Sequence, residues 1–232
     1  MKIAIMGAMP EEIAPIIKRL DNLNVVEHAA NKYYEGSYNG QELVVAYSKI
    51  GKVFATLTAT TLLEKFDCNI LLFSGVAGAI SNDLKVGDLI VADKLCQHDL
   101  DIVAFGHPYG FVPEGAVFVE ADKELRGMAM QVAEEKKLKL KEGTIATGDQ
   151  FVANAERKEW IAKTFAADAL EMEGAAVAVV CDALSVPFFI LRAISDSADM
   201  DAGFDFDAFL ESSAKVSADF ILEMVKKVEG RG

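Results

Sequence analysis

Positive charge is scarce in this chain: 23 Lys and Arg stand against 36 Asp and Glu over 232 residues, a formal net charge of −13. That balance disfavours a nucleic-acid backbone or an anionic membrane surface as partner. It says little about a small ligand, for which one local Arg outweighs a distant mean field. Cysteine is nearly absent as well. Cys68, Cys96 and Cys181 form an odd set without CxxC spacing, which excludes a disulfide framework and reads as reduced, buried thiols of a cytoplasmic protein. No apolar run approaches the roughly 18 residues of a membrane span. The N-terminal run Ile3-Ala4-Ile5-Met6 behind Lys2 stops by Glu11-Glu12, too short for the core of a signal peptide. With five prolines and no Ser/Gly/Pro-rich stretch, nothing marks a linker, and there is no internal repeat. The expectation is one domain over residues 1–232, large enough for a full core.

Strand and helix patterns alternate along the chain. Lys2 to Met6 predicts a buried first strand. Pro10 suits a first helical position, with Glu11 and Glu12 in the first turn, where the macrodipole favours negative charge. Asn39-Gly40 between two strand-like runs is a hairpin signal. A helix is predicted over Lys52 to Phe66, with Val53, Leu57, Leu62 and Leu63 as apolar positions. Strands follow at Asn69 to Phe73, running into a Ser74–Gly78 turn, and at Leu84 to Leu95. An amphipathic helix follows at Ala121 to Lys136. Strands at Thr144 to Ala146, Ala167 to Leu170 and Pro187 to Ala193 are separated by helices. A terminal helix covers Phe206 to Val228, with Phe209, Ala214, Phe220, Ile221, Met224 and Val228 towards one side. This is an α/β pattern: a central mixed β-sheet covered by helices on both faces.

Ionisable residues cluster where such a sheet places its ligand crevice. Glu12, just after the first strand, is either a helix-dipole carboxylate or a general base for water. Glu171 and Glu173 flank Met172 at the end of an apolar run. On an extended segment they share a side, and in a turn they diverge. They are either a solvated strand end or acceptors for a vicinal diol such as the ribose hydroxyls. Arg192 closes the run Phe188 to Leu191 and needs an anion, with Glu12, Glu173 or a substrate group as candidates. Asp196 is either a helix cap or a protonated donor to a heterocyclic nitrogen. Gly75 to Gly78 is a weak phosphate cradle, lacking both GxGxxG and GxxxxGK[ST], and reads as a tight turn or as close approach of backbone to a flat ligand. The histidines show no metal spacing: His98 reads as structural and His28 as surface. The segment Asp101 to Pro113 combines turn residues with aromatics, and lies either on its own core or against a ligand or second subunit.

Quoted in order, the motifs are Gly7-Ala8-Met9 with Glu12, Ser48-Lys49-Ile50-Gly51-Lys52-Val53, Gly75-Val76-Ala77-Gly78, Val86-Gly87-Asp88 and Ala104-Phe105-Gly106. Thr147-Gly148-Asp149-Gln150-Phe151, Glu171-Met172-Glu173, Arg192-Ala193-Ile194-Ser195-Asp196 and Phe206-Asp207 follow. In this order and spacing the chain resembles the 5′-methylthioadenosine/S-adenosylhomocysteine nucleosidases of the nucleoside phosphorylase superfamily, over nearly its whole length. The resemblance implies a three-layer αβα sandwich and hydrolysis of the N-glycosidic bond of 5′-substituted adenosines, with no cofactor and no metal. By the same resemblance, Glu12 activates the water and Asp196 protonates adenine N7. Arg192 and Glu173 help hold the water, Glu173 binds the ribose beside Met172, and Glu171 belongs to the same substrate-binding set. Phe151 stacks on the base, the backbone of Val152 reads its edge, and Ala77 and Gly78 approach the ligand. Met9, Ile50 and Phe206 line the sugar and 5′ tail. Ile102, Phe105, His107 and Pro113 come from the partner of a homodimer, which gives the apolar loop a purpose. Val76 and His107 depart from the Ser and Tyr usual in the family. With Tyr47-Ser48-Lys49-Ile50 and Phe73-Ser74-Gly75-Val76 they resemble the branch that also cleaves 6-amino-6-deoxyfutalosine.

Overall fold

The computed structural model describes residues 1–198 and 202–229, apart from the side chains of 202–208 and 229. In chain order the elements are β1 (Lys2–Gly7), α1 (Pro10–Ile17), β2 (Asp21–His28), β3 (Asn31–Tyr38), β4 (Gln41–Tyr47), α2 (Lys52–Thr60), β5 (Ile70–Ala79), β6 (Leu89–Gln97) and β7 (Val119–Glu120). Then come α3 (Lys123–Lys136), β8 (Leu140–Thr147), α4 (Ala155–Phe165), β9 (Ala169–Glu171), α5 (Gly174–Ala183), β10 (Phe188–Asp196) and α6 (Ala202–Glu229). The strands form one mixed sheet, ordered β10-β6-β8-β9-β5-β1-β4-β3-β2. A further β10–β5 pairing brings one end of this order back onto its middle, so β5, β10, β6, β8 and β9 form a closed ring.

The two sheet faces follow from strand alternation. Ile3 and Ile5 face a core shared with α1, α3 and α6, whereas Ala4 and Met6 face one shared with α2 and α5. Helices therefore cover both faces of a mixed sheet, as the sequence pattern requires. The β3–β4 hairpin turns at Asn39 (φ 50°) and Gly40 (φ 85°), the double positive φ of a type I′ turn.

Several local expectations are corrected. Gly75 to Gly78 is not a turn but part of β5, fully paired with β10 in parallel register, Arg192 beside Gly75 and Asp196 beside Gly78. Arg192 accordingly lies within β10 rather than at its end, and Asp196 is the last residue of the strand rather than past it. The small side chains of β5 leave room for the neighbouring strand to continue, and a bulge between Ile194 and Asp196 re-aims the last residue. The strand predicted from Leu84 begins only at Leu89. The helix from Lys52 is α-helical to Thr60 and continues as a π-helical turn over Thr61–Lys65. Val53 (74% exposed) and Leu57 (43%) are not core positions, and neither is Phe209 (42%). The edge strand β2 escaped the pattern because Asp21–His28 is almost wholly exposed and carries no apolar alternation.

Candidate active site

The pocket opens where β1, β5, β9 and β10 end together. Pro10 starts α1, and Glu12, its third residue, folds its side chain back over the turn. Oε2 accepts from the backbone N–H of Ala8 (2.5 Å) and Met9 (3.0 Å). Oε1 accepts from the N–H of Val76 on β5 at 3.1 Å. The two readings of Glu12 are thus compatible, since the carboxylate that caps the helix start also lines the pocket. Exposed Glu11 makes no such contact. Burial pushes the Glu12 carboxyl above the usual range, against the nearby Arg192 charge and the three N–H donors, which pull it down.

Glu171 and Glu173 diverge because β9 ends at Glu171 and α5 begins at Gly174. Glu171 turns inward. Its Oε2 accepts from the N–H groups of Glu173 (3.0 Å) and Gly174 (2.7 Å) and pairs with Arg192 Nη2 at 2.8 Å. Its Oε1 takes the Thr147 hydroxyl, a neighbour across the β8–β9 register. Thr147 Oγ1 in turn accepts from Ala175 N–H at 2.7 Å. The anion that Arg192 requires is therefore Glu171, and neither Glu12 nor Glu173 forms an ion pair with it. Arg192 also donates to the carbonyl of Leu191 at 3.0 Å and stacks its guanidinium 4.0 Å above the Phe73 ring. A fully buried guanidinium held on three sides is a fixed positive charge beneath the pocket floor.

Glu173 points the other way. Its Oε1 accepts from the N–H of Gly51 at 2.8 Å. Burial, together with the charges of Glu171 and Glu12, pushes its carboxyl up to about 8, with Gly51 N–H and Arg192 opposing. At the far wall Asp196 accepts from Ser195 Oγ (2.9 Å, Oδ2) and Ala198 N–H (2.7 Å, Oδ1). Asp196 closes β10, and its carboxylate reaches the backbone N–H of Ala198 ahead of α6.

These groups surround a single pocket mouth that opens to solvent. Of the sequence-predicted residues, Met9, Glu12, Ile50, Ala77, Gly78, Phe151, Val152, Glu171, Met172, Glu173 and Asp196 line it. Arg192 lies behind the wall. Ile102, Phe105, His107 and Pro113 do not line the pocket of their own chain, and the Phe206 side chain falls outside the described residues. The backbone cage of Glu12, the Thr147 hydroxyl and the lining residues Ala8, Gln150, Leu170 and Ser195 were not anticipated. For Thr147 the signal was available, since a Thr at a strand end beside a buried carboxylate is a ready donor.

The family model for the phosphorylase superfamily matches residues 2–226. The chain belongs to the phosphorylase superfamily. Within it, the chain is 55% identical to the aminodeoxyfutalosine nucleosidase of Campylobacter jejuni, over 98% of this chain and 100% of that one. It is 38% identical to the 5′-methylthioadenosine/S-adenosylhomocysteine nucleosidase of Staphylococcus aureus, over 97% of this chain and 100% of the relative. The solved structure of futalosine hydrolase from Helicobacter pylori superimposes with a TM-score of 0.96 at 50% identity, covering 97% of both chains.

Among the described residues no group of acidic, His or Cys side chains has the arrangement of a metal site. Among the described residues no helix is long and apolar enough to cross a membrane. The three cysteines are buried and unpaired. His98 is buried, as its structural reading requires, with Nδ1 3.2 Å from Arg157.

Proposed function

We propose that this chain is an N-glycosyl hydrolase for 5′-substituted adenosines: 5′-methylthioadenosine, S-adenosylhomocysteine, 5′-deoxyadenosine and 6-amino-6-deoxyfutalosine. The observation that carries hydrolysis is the charge of the wall. Glu12, Glu171, Glu173 and Asp196 line the pocket, and no Lys or Arg does so among the described residues. A phosphate dianion, the nucleophile of a phosphorylase, would meet carboxylates and no free cation. Water suits such a wall, and so does a sugar acquiring positive charge.

As the C1′–N9 bond breaks, its electron pair leaves with adenine and the sugar gains oxocarbenium character. Buried carboxylates below the ring stabilise that charge. Glu12, fixed by three N–H groups and shifted towards neutrality, takes the proton from the attacking water. Glu173 helps hold that water, while Arg192, expected from the resemblance to do the same, acts from behind the wall by fixing Glu171. Glu173 keeps Oε2 free of Gly51 to receive the ribose hydroxyls, beside Met172. Asp196, turned inward by the bulge, supplies a proton to N7, without which adenine is a poor leaving group. Phe151 stacks on the base and the Val152 backbone reads its edge. Met9 and Ile50 line the sugar and 5′ tail. The arrangement parallels inverting two-carboxylate glycosidases, with a nitrogen leaving group. Glu171, named above for the substrate, lines the pocket but gives its polar contacts to protein, where it fixes Arg192.

The functional unit in this reading is a homodimer of single-domain chains, and the three reduced cysteines suit the cytoplasm. Loop 101–113 reaches the partner's pocket. Supporting this, Phe105 is 81% exposed, and α2 also exposes the apolar side chains of Val53, Phe54 and Leu57. The deciding experiment incubates the protein with 5′-methylthioadenosine with and without inorganic phosphate. Adenine and free 5-methylthioribose in both arms are expected. Sugar 1-phosphate formed only with phosphate would make the chain a phosphorylase. Binding without release of adenine would make it a nucleoside-binding protein.

A further inference from the structure

The N–H of Gly51 that holds Glu173 belongs to a helix start with no cap of its own. Gly51 has φ 101°, a conformation open to glycine, and offers no side chain to the N-terminus of α2. A residue nearly a hundred positions away supplies the cap. Asp149 Oδ1, in the loop after β8, accepts from the N–H of Lys52 at 2.8 Å. The backbone N–H of Asp149 donates to Asp99 Oδ2 at 2.8 Å, just beyond β6. Asp99 Oδ1 takes Lys52 Nζ at 2.7 Å, and Gln97 Oε1 takes the same ammonium at 3.0 Å. Asp149, Asp99 and Lys52 therefore close a ring across three elements, with Gly51 at its rim.

We infer that Asp149 is a positioning residue for the sugar-binding carboxylate: by capping α2 it sets the Gly51 N–H that orients Glu173. The inference rests on the proposed nucleosidase reading. Glu173 lies behind the α2 start, and Gly51 N–H is the donor that fixes its Oε1. Rotation of that carboxylate moves its other oxygen away from the ribose diol. The Cβ of any residue placed at Gly51 would stand 3.1 Å from Asp149 Oδ1, so the two loops are in close contact. Burial alone would raise the Asp99 carboxyl, but Lys52 and the Asp149 N–H outweigh it and hold Asp99 below the usual carboxylate range, charged throughout the working pH.

The test compares Asp149→Ala and Asp149→Asn on 5′-methylthioadenosine and on its 3′-deoxy analogue. Asn keeps an acceptor for Lys52 N–H and should stay within about twofold of wild type. Ala should lower kcat/KM on the ribonucleoside about tenfold, the size of one weakened hydrogen bond to a charged group. The same variant should lose under about twofold on the 3′-deoxy analogue, which has no diol to misalign. Asp149 is exposed, so melting temperatures should remain close to wild type. An equal loss on both substrates, or no loss on either, overturns the positioning role. A wild-type protein that cleaves neither substrate removes the nucleosidase reading, and this inference with it.

Discussion

Gly78 and Asp196 face each other across the β5–β10 pair so closely that a Cβ on Gly78 would stand 2.7 Å from Asp196 Oδ1. The absent side chain is therefore what lets the carboxylate sit at the pocket wall. Gly78→Ala should displace Asp196 and lower kcat by about 100-fold, the cost of misplacing a reacting group by about an ångström. Gly127→Ala in α3, where an added Cβ meets nothing within 4 Å, is the control and should keep wild-type kinetics. Steady-state rates of the two variants check this.

The Glu171–Arg192 pair is buried on both sides, at 3% and 1% side-chain exposure. Removing one charge from such a pair leaves the other uncompensated. Glu171→Gln should destabilise the fold by about 3 kcal/mol. Urea unfolding with an unchanged m-value would measure it.

Glu173 links pH to stability. Its carboxyl is raised to about 8 in the folded chain, from 4.5 as a free side chain. Between those values the folded state holds a proton that the unfolded state has released. The ligand-free protein should therefore lose stability as pH rises through this window, and retain the full contribution below it. Glu173→Gln should flatten that slope and be the more stable form near pH 8. Melting temperature against pH for both proteins is the measurement.

The exposed apolar side chains of loop 101–113 and of α2 give a prediction about assembly. Phe105→Asp should shift the sedimentation coefficient towards that of a monomer and reduce kcat/KM with it, although Phe105 lies outside its own chain's pocket.

Much of the architecture was legible from local signals. Pro10 with Glu11-Glu12 marked a helix start, and Asn39-Gly40 marked a hairpin. Those are backbone preferences, readable within a few residues. The sheet's closure was not legible, because Gly75 to Gly78 reads locally as a turn and becomes a strand only through pairing with β10. The site was legible as a set of residues but not as a set of bonds. Arg192 needed an anion, and the sequence pattern offered Glu12, Glu173 or a substrate group, not Glu171. Glu171 won because the β8–β9 register places Thr147 beside it while α5 turns Glu173 away. Asp149, quoted in a motif, gained a purpose only when its loop met the bare N-terminus of α2.

The central claim is that Glu12, held by Ala8, Met9 and Val76, is the base that activates water. Glu12→Gln keeps the size of the side chain and can still bind substrate. Measured by single turnover with 5′-methylthioadenosine, beside a direct binding titration, the variant should bind within a few-fold of wild type. It should cleave about 1,000-fold more slowly, within the range of a lost general base. Cleavage at the wild-type rate with normal binding would contradict the account.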